Sequence, residues 1–133
     1  MKERIRWEKA LGWPALLFLG TETIGRTTNL FEVYPWLDNP LHFFGGMLIA
    51  ITANEFFLYC RRNGYIGKTH PFLYIILLVT FVMTVAVFWE FHEFLRDFYF
   101  HTQLQSSEAD TMKDLLLGML GGLLSASLLI RKK

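Results

Sequence analysis

PFLYIILLVTFVMTVAVFWEFHEFL, Pro71 to Leu95, carries no charged residue before Glu90. Roughly 20 apolar residues in a helix match about 30 Å of hydrocarbon, and this run reaches that length before its first charge. Inside lipid a backbone can satisfy its own polar groups only as a helix or a closed barrel, so the stretch reads as a membrane-spanning helix. Working outward, residues 40–60 and 111–130 have the same character. A fourth segment, 7–24, is weaker, because Glu8 and Lys9 trim its start and Glu22 its end. Its rival reading is an interfacial or re-entrant helix. The sequence therefore predicts an all-α fold: a single transmembrane domain over residues 1–133, built as an integral membrane four-helix bundle with antiparallel neighbours.

Composition agrees. With 53% apolar, 17% aromatic and 19% charged residues, the chain is too apolar for a soluble domain of this size. Charges are absent from long runs and crowded between them. Cys60 is the single cysteine, which leaves no disulfide framework and no thiolate metal site within one chain. No cleavable signal peptide is expected, since Pro14 and Glu22 interrupt the N-terminal apolar run.

Basic residues set the expected orientation. Lys2, Arg4, Arg6 and Lys9 precede the first segment; Arg61, Arg62 and Lys68 separate the second from the third; Arg131, Lys132 and Lys133 close the chain. These ten of the thirteen Lys and Arg residues fall on one side, which the positive-inside rule makes cytoplasmic. Both termini are then cytoplasmic, in a multi-pass protein of the inner (cytoplasmic) membrane. Glu22, Glu32, Asp38, Glu90, Glu93, Asp97, Glu108, Asp110 and Asp114 are placed at the outer end, where they outnumber Arg26, Arg96 and Lys113.

That acidic end is where chemistry is expected. A helix advances about 100° per residue, so Glu90, Glu93 and Asp97 share one stripe, while His92 and Arg96 occupy another face. Asp110 and Asp114 open the last segment as a similar stripe, which continues inward through Gly118, Gly121 and Ser125. Small residues let membrane helices approach closely, so the aspartates lie on a packing face. Asp110 and Thr111 also read as a helix N-cap. In the second segment Asp38 reads as a cap, and His42 shares a face with Asp38, Gly45 and Gly46. Three helices thus bring acids and an imidazole to one depth. Ionisable groups inside a membrane are costly and are paired or functional. Carboxylates with one imidazole suit a hard or borderline divalent cation. The candidate metal ligands are His42, Glu90, Glu93, Asp110 and Asp114, with Glu90, Glu93 and His42 as candidate catalytic groups. His92 and His101 are nine residues apart, so the HExxH pattern of zinc peptidases is not met. Glu55 lies deeper and on another side, and an interfacial partner is expected for it.

These motifs resemble a known family. Asp38, His42, Phe43 and Gly46, then Trp89, Glu90, Phe91, Glu93 and Phe94, then Asp110, Thr111 and Asp114 before Gly118 and Gly121, follow the order seen in the bacterial YjdF-type inner-membrane proteins. The likeness covers about Asp38 to Ser125 and implies that the outer cluster is the shared feature. A looser likeness is to VanZ-like membrane proteins, which hints at the cell envelope. This chain lacks their Gln after the Glu and the basic residue before the last Asp motif, so their function is not transferred.

Two functions fit these residues. One is a metal-assisted enzyme acting on a lipid or envelope precursor, with the cluster supplying cation ligands and an acid and base. The other is a non-enzymatic membrane protein, either an accessory subunit or one that binds or transports an ion, a proton or a lipid. Membrane lipid is the expected partner in both, and nucleic acid is not. Four short helices bury little, so a homo-oligomer is expected.

Overall fold

The computed structural model describes residues 13–131, and all regular structure within them is helical. The described part of α1 runs Trp13–Thr27, followed by a single turn, α2, Leu30–Val33, and a 3-10 turn, Pro35–Leu37. The three long helices are α3, Asp38–Arg62, α4, Pro71–Phe100, and α5, Glu108–Arg131. These three are long and apolar enough to cross a membrane. The expected start of the first segment at residue 7, and the basic residues Lys2 to Lys9, Lys132 and Lys133, lie outside the described residues.

Each long helix begins and ends for a local reason. Pro71 sits in the first turn of α4, where its missing N–H costs nothing, and His70 Nδ1 accepts from the Phe72 N–H at 3.3 Å. α3 closes in a Schellman arrangement: Gly64 takes φ 77°, and the Tyr65 N–H donates to the Cys60 carbonyl at 2.9 Å. α4 stops at His101, which adopts φ 53° and returns its N–H to the Asp97 carbonyl.

Two expected caps are corrected. Asp38 makes no capping bond, because the 3-10 turn Pro35–Leu37 leads directly into α3 and frees its carboxylate. α5 begins at Glu108, before Asp110; Ser107 Oγ accepts from the Asp110 N–H at 3.1 Å. Asp110 is therefore inside the first turn, where negative charge still meets the positive end of the dipole.

Consecutive long helices alternate in direction, so α3 and α5 run parallel to each other, and this non-consecutive pair forms the most extensive contact among the described elements. Glycine makes that possible. A Cβ on Gly46 would strike the Gly118 carbonyl, and one on Gly121 would strike the Phe43 carbonyl. The backbones cross in direct contact, as small-residue seams allow in membranes. α4 closes the third side, with Val82 against Gly122 and a small core of Ala53, Tyr74, Leu78 and Ala126. Asn54 is buried here, and the Tyr74 hydroxyl donates to its Oδ1 at 3.1 Å. Phe72, Leu73, Ile76, Phe88 and Phe91 point away from the helices, as a lipid-facing surface requires.

At 1.5 Å per residue, His42 lies roughly 28 Å along α3 from Arg61, and Glu90 roughly 28 Å along α4 from Pro71. Asp114 lies roughly 26 Å along α5 from Arg131. The three sit near one end of their helices, opposite the ends that carry Arg61, Arg62 and Arg131.

Candidate functional site

The glycine seam brings α3 and α5 into register at this end of the helices. Gly46 meets Gly118, and His42 and Asp114 each lie one helical turn nearer the start of their parallel helices, so they face each other. His42 Nε2 is 3.8 Å from Asp114 Oδ2 and 3.5 Å from Asp38 Oδ1, the latter one turn back on α3. One ligand atom from each of the three lies within 4.8 Å of the others. The Asp114 side chain is 5% exposed, and its Oδ1 has no hydrogen-bond partner among the described residues. Lys113 bonds to Asp110 Oδ1, and its Nζ stands 3.8 Å from Asp114 Oδ1.

Donor chemistry and spacing both suit a cation. Two donors at about 2.0–2.1 Å from a tetrahedral ion stand about 3.3 Å apart; the two His42 distances, 3.5 and 3.8 Å, are near that, and the group as a whole, held within 4.8 Å, would have to draw in around an ion. Three carboxylates, those of Asp38, Asp110 and Asp114, face one ammonium and one imidazole here.

The acids of α4 are buried with other partners. Glu93 is taken by α1: Arg26 Nη2 donates to Glu93 Oε1 at 2.7 Å, and Arg26 Nε donates to Glu22 Oε2 at 2.6 Å. Both carboxylates are buried, so one guanidinium bridges two otherwise uncompensated charges and fastens α1 to α4. Glu90, 7% exposed, receives Gln105 Nε2 at Oε2, 3.0 Å, and at its own carbonyl, 3.2 Å. Its Oε1 is buried without a partner among the described residues. Asp97 folds the α4–α5 connection back over the helix end: it accepts from Thr102 Oγ1 and from the N–H groups of Leu104 and Gln105, at 2.8 and 2.9 Å. That loop is what delivers Gln105 to Glu90.

Of the residues singled out by sequence, His42 and Asp114 are therefore brought together, and Asp110 stands one step outside them behind Lys113. Glu90 and Glu93 lie within electrostatic range of His42 without joining its group. His92 is exposed, packing its ring against Trp89 at 5.3 Å between centroids. Sequence reasoning assigned Asp38 to a cap and overlooked Arg26, Glu22 and Gln105 as partners of the acids. The first two carried a signal, a Glu and an Arg four residues apart on a segment otherwise apolar; Gln105, in a polar loop, carried none.

No curated protein and no solved structure matches this chain. A family model described as "Predicted membrane protein (DUF2238)" matches residues 1–133. With three helices able to span a bilayer and all of residues 1–133 matched, the chain belongs to this family of predicted membrane proteins, DUF2238.

Proposed function

We propose that the protein binds a divalent cation between Asp38, His42 and Asp114 and uses it to polarise an oxygen of a lipid or envelope precursor at the outer face of the cytoplasmic membrane. The observation that carries this reading is Asp114. A carboxylate buried at a helix interface, with one oxygen making no hydrogen bond among the described residues and only Lys113 at 3.8 Å, and the other 3.8 Å from an imidazole, is incompletely compensated for a buried charge. A divalent ion would complete that compensation. An imidazole with two carboxylates, and room for further ligands, suits Mn²⁺, Zn²⁺ or Mg²⁺ and leaves a coordination position for substrate.

Glu90 serves in this reading as the acid or base, since one of its oxygens is uncommitted among the described residues. Glu93 and Arg26 hold α1 against the site, and Asp110 positions Lys113 at its rim. The helix ends carrying the acids face outward, both termini are cytoplasmic, and the segment at 7–24 completes four spans. The supporting pattern is the concentration of basic residues at the opposite ends. The order of motifs shared with YjdF-type proteins supports the same cluster. The envelope as the source of substrate rests on the looser VanZ likeness.

A second reading has one observation in its favour. The three residues lie on the α3–α5 seam, and Lys113 already places a positive charge beside Asp114. The cluster would then be a polar clamp, or an ion or proton site in a protein without catalysis. Transport through the helices finds little support: Asn54 accepts from Tyr74, and Thr84 returns its hydroxyl to the Thr80 carbonyl.

Elemental analysis of the purified protein separates the two readings. The cation reading expects stoichiometric metal that is lost in His42→Ala and Asp114→Asn and retained in His92→Ala. Metal-free protein whose melting temperature ignores added Mn²⁺ or Zn²⁺, and which unfolds on Asp114→Asn, would make the cluster a clamp.

A further inference from the structure

A cavity of about 360 Å³ begins at His42 and runs away from the polar cluster between α1, α3 and α4. Its α3 wall extends from His42 through Gly45 and Ile49 to Thr52, and ten residues of helix make roughly 15 Å. The opposite wall is α4, from Trp89 to Phe81, with Leu19 of α1 along one side. Apart from His42, Thr52 and the Trp89 indole, no lining side chain bears a hydrogen-bonding group. The volume falls in the range of about 300–1,000 Å³ typical of small-molecule sites. The lining is unusual for a polar substrate: an apolar slot with His42 at one end.

The slot lies at the depth where the surrounding solvent is hydrocarbon, and its walls offer water almost no partners. An aliphatic chain is the occupant such walls favour. His42, which lines one end of the cavity, belongs also to the Asp38–His42–Asp114 group, and Lys113, 42% exposed, stands 3.8 Å from Asp114 Oδ1. An ammonium together with a carboxylate-held cation is the complement of a phosphate group. We infer that the slot holds one chain of a phosphate-bearing membrane lipid, whose phosphate lies at the Asp38–His42–Asp114 end. The placement of the phosphate rests on the cation reading above; the occupation of the slot by a lipid chain does not.

The test uses the full chain in phosphatidylcholine nanodiscs, doped with a phosphatidic acid carrying a photoactivatable diazirine in one acyl chain. A diacylglycerol with the same chain serves as the uncharged control. After irradiation, mass spectrometry should place the label on residues 45–52 of α3 and 81–89 of α4, several-fold more with phosphatidic acid than with diacylglycerol. Ile49→Trp and Val85→Trp fill the slot below His42 and should lower that labelling several-fold while metal content is unchanged. Label confined to the exposed face of α4 at Phe88, Phe91 and Phe98 overturns the inference, as does labelling undiminished in both tryptophan variants or equal for the two probes. Metal content measured on the same samples keeps the two readings apart. Metal-bearing protein without slot labelling defeats the lipid inference alone. Metal-free protein that still prefers phosphatidic acid in the slot defeats the cation reading and supports the slot, with Lys113 as the phosphate's partner.

Discussion

Gly46→Ala should damage the site from a position that holds no ligand. The added methyl would meet the Gly118 carbonyl, carbon and Cα of α5, all backbone atoms that no rotamer change can move. To reach ordinary non-bonded separation of about 3.5 Å, the helices must part locally by roughly 1–1.5 Å. His42 lies one turn away on the same face, so its 3.8 Å distance to Asp114 should open to about 5 Å, more than about twice a 2.0–2.2 Å metal–ligand bond. Overpacking of this kind costs about 1–3 kcal/mol. Gly118→Ala is the control across the same contact. Its Cβ would find only the His42 carbonyl at 3.8 Å and Ala86 Cβ at 3.9 Å, ordinary contacts. Thermal unfolding in detergent, followed by helical circular dichroism, should therefore show a clear drop for Gly46→Ala and little change for Gly118→Ala. Bound metal should fall in the first variant only. Equal effects at the two glycines would refute the crossing geometry; a destabilised Gly46→Ala protein that keeps its metal would refute the link between the seam and the site.

Other perturbations probe the remaining networks. Arg26→Ala leaves Glu22 and Glu93 buried without their shared counter-charge and should cost about 3 kcal/mol or more, read as a lower melting temperature. Adding Glu22→Gln and Glu93→Gln should recover much of that loss, because neutral amides relieve the uncompensated charge. Asp97→Ala removes the acceptor of the Leu104 and Gln105 N–H groups and should speed hydrogen exchange at both amides, with α3 and the inner half of α4 unaffected. Tyr74→Phe deprives buried Asn54 Oδ1 of its donor and should cost about 1–3 kcal/mol in unfolding free energy. For orientation, Cys60, the single cysteine at the far end of α3, should react with an impermeant maleimide only from the cytoplasmic side, whereas Ser106→Cys in a Cys60→Ser background should react from outside.

The helices were legible because lipid imposes a single rule, an unbroken apolar run long enough to cross, and α3, α4 and α5 obey it. Their ends were less so. Asp38 and Asp110 have the residue type of a cap, but capping is decided by the turn before the helix, here the 3-10 turn at Pro35–Leu37 and Ser107. Helical phase placed Glu90 and Glu93 on one stripe, and both are buried while His92 is exposed. Phase names a face, however, and not the neighbour that fills it. The antiparallel expectation followed chain order; the parallel α3–α5 pair, which it did not name, packs backbone to backbone because Gly46 and Gly121 carry no Cβ.

What distinguishes Asp38, His42 and Asp114 from the other acids is the ownership of counter-charge. The carboxylates at this end differ in burial, Asp114, Glu22, Glu90 and Glu93 being the buried ones, and most have a local partner. Glu22 and Glu93 share Arg26, Asp97 takes two backbone donors and a hydroxyl, and Asp110 takes Lys113. Glu90 is half answered by Gln105. On the α3–α5 seam, by contrast, two carboxylates share one imidazole and a lysine already committed to Asp110. The seam is also where the backbones are locked by glycine contact, so relaxation cannot carry Asp114 out to water without separating the helices. A rigid interface holding underpaired acids at a fixed spacing is the arrangement expected of a site that a cation completes, whereas flexible surface acids would simply hydrate. The apolar slot that begins at His42 gives that site a direction: whatever reaches the cluster along it comes from within the bilayer.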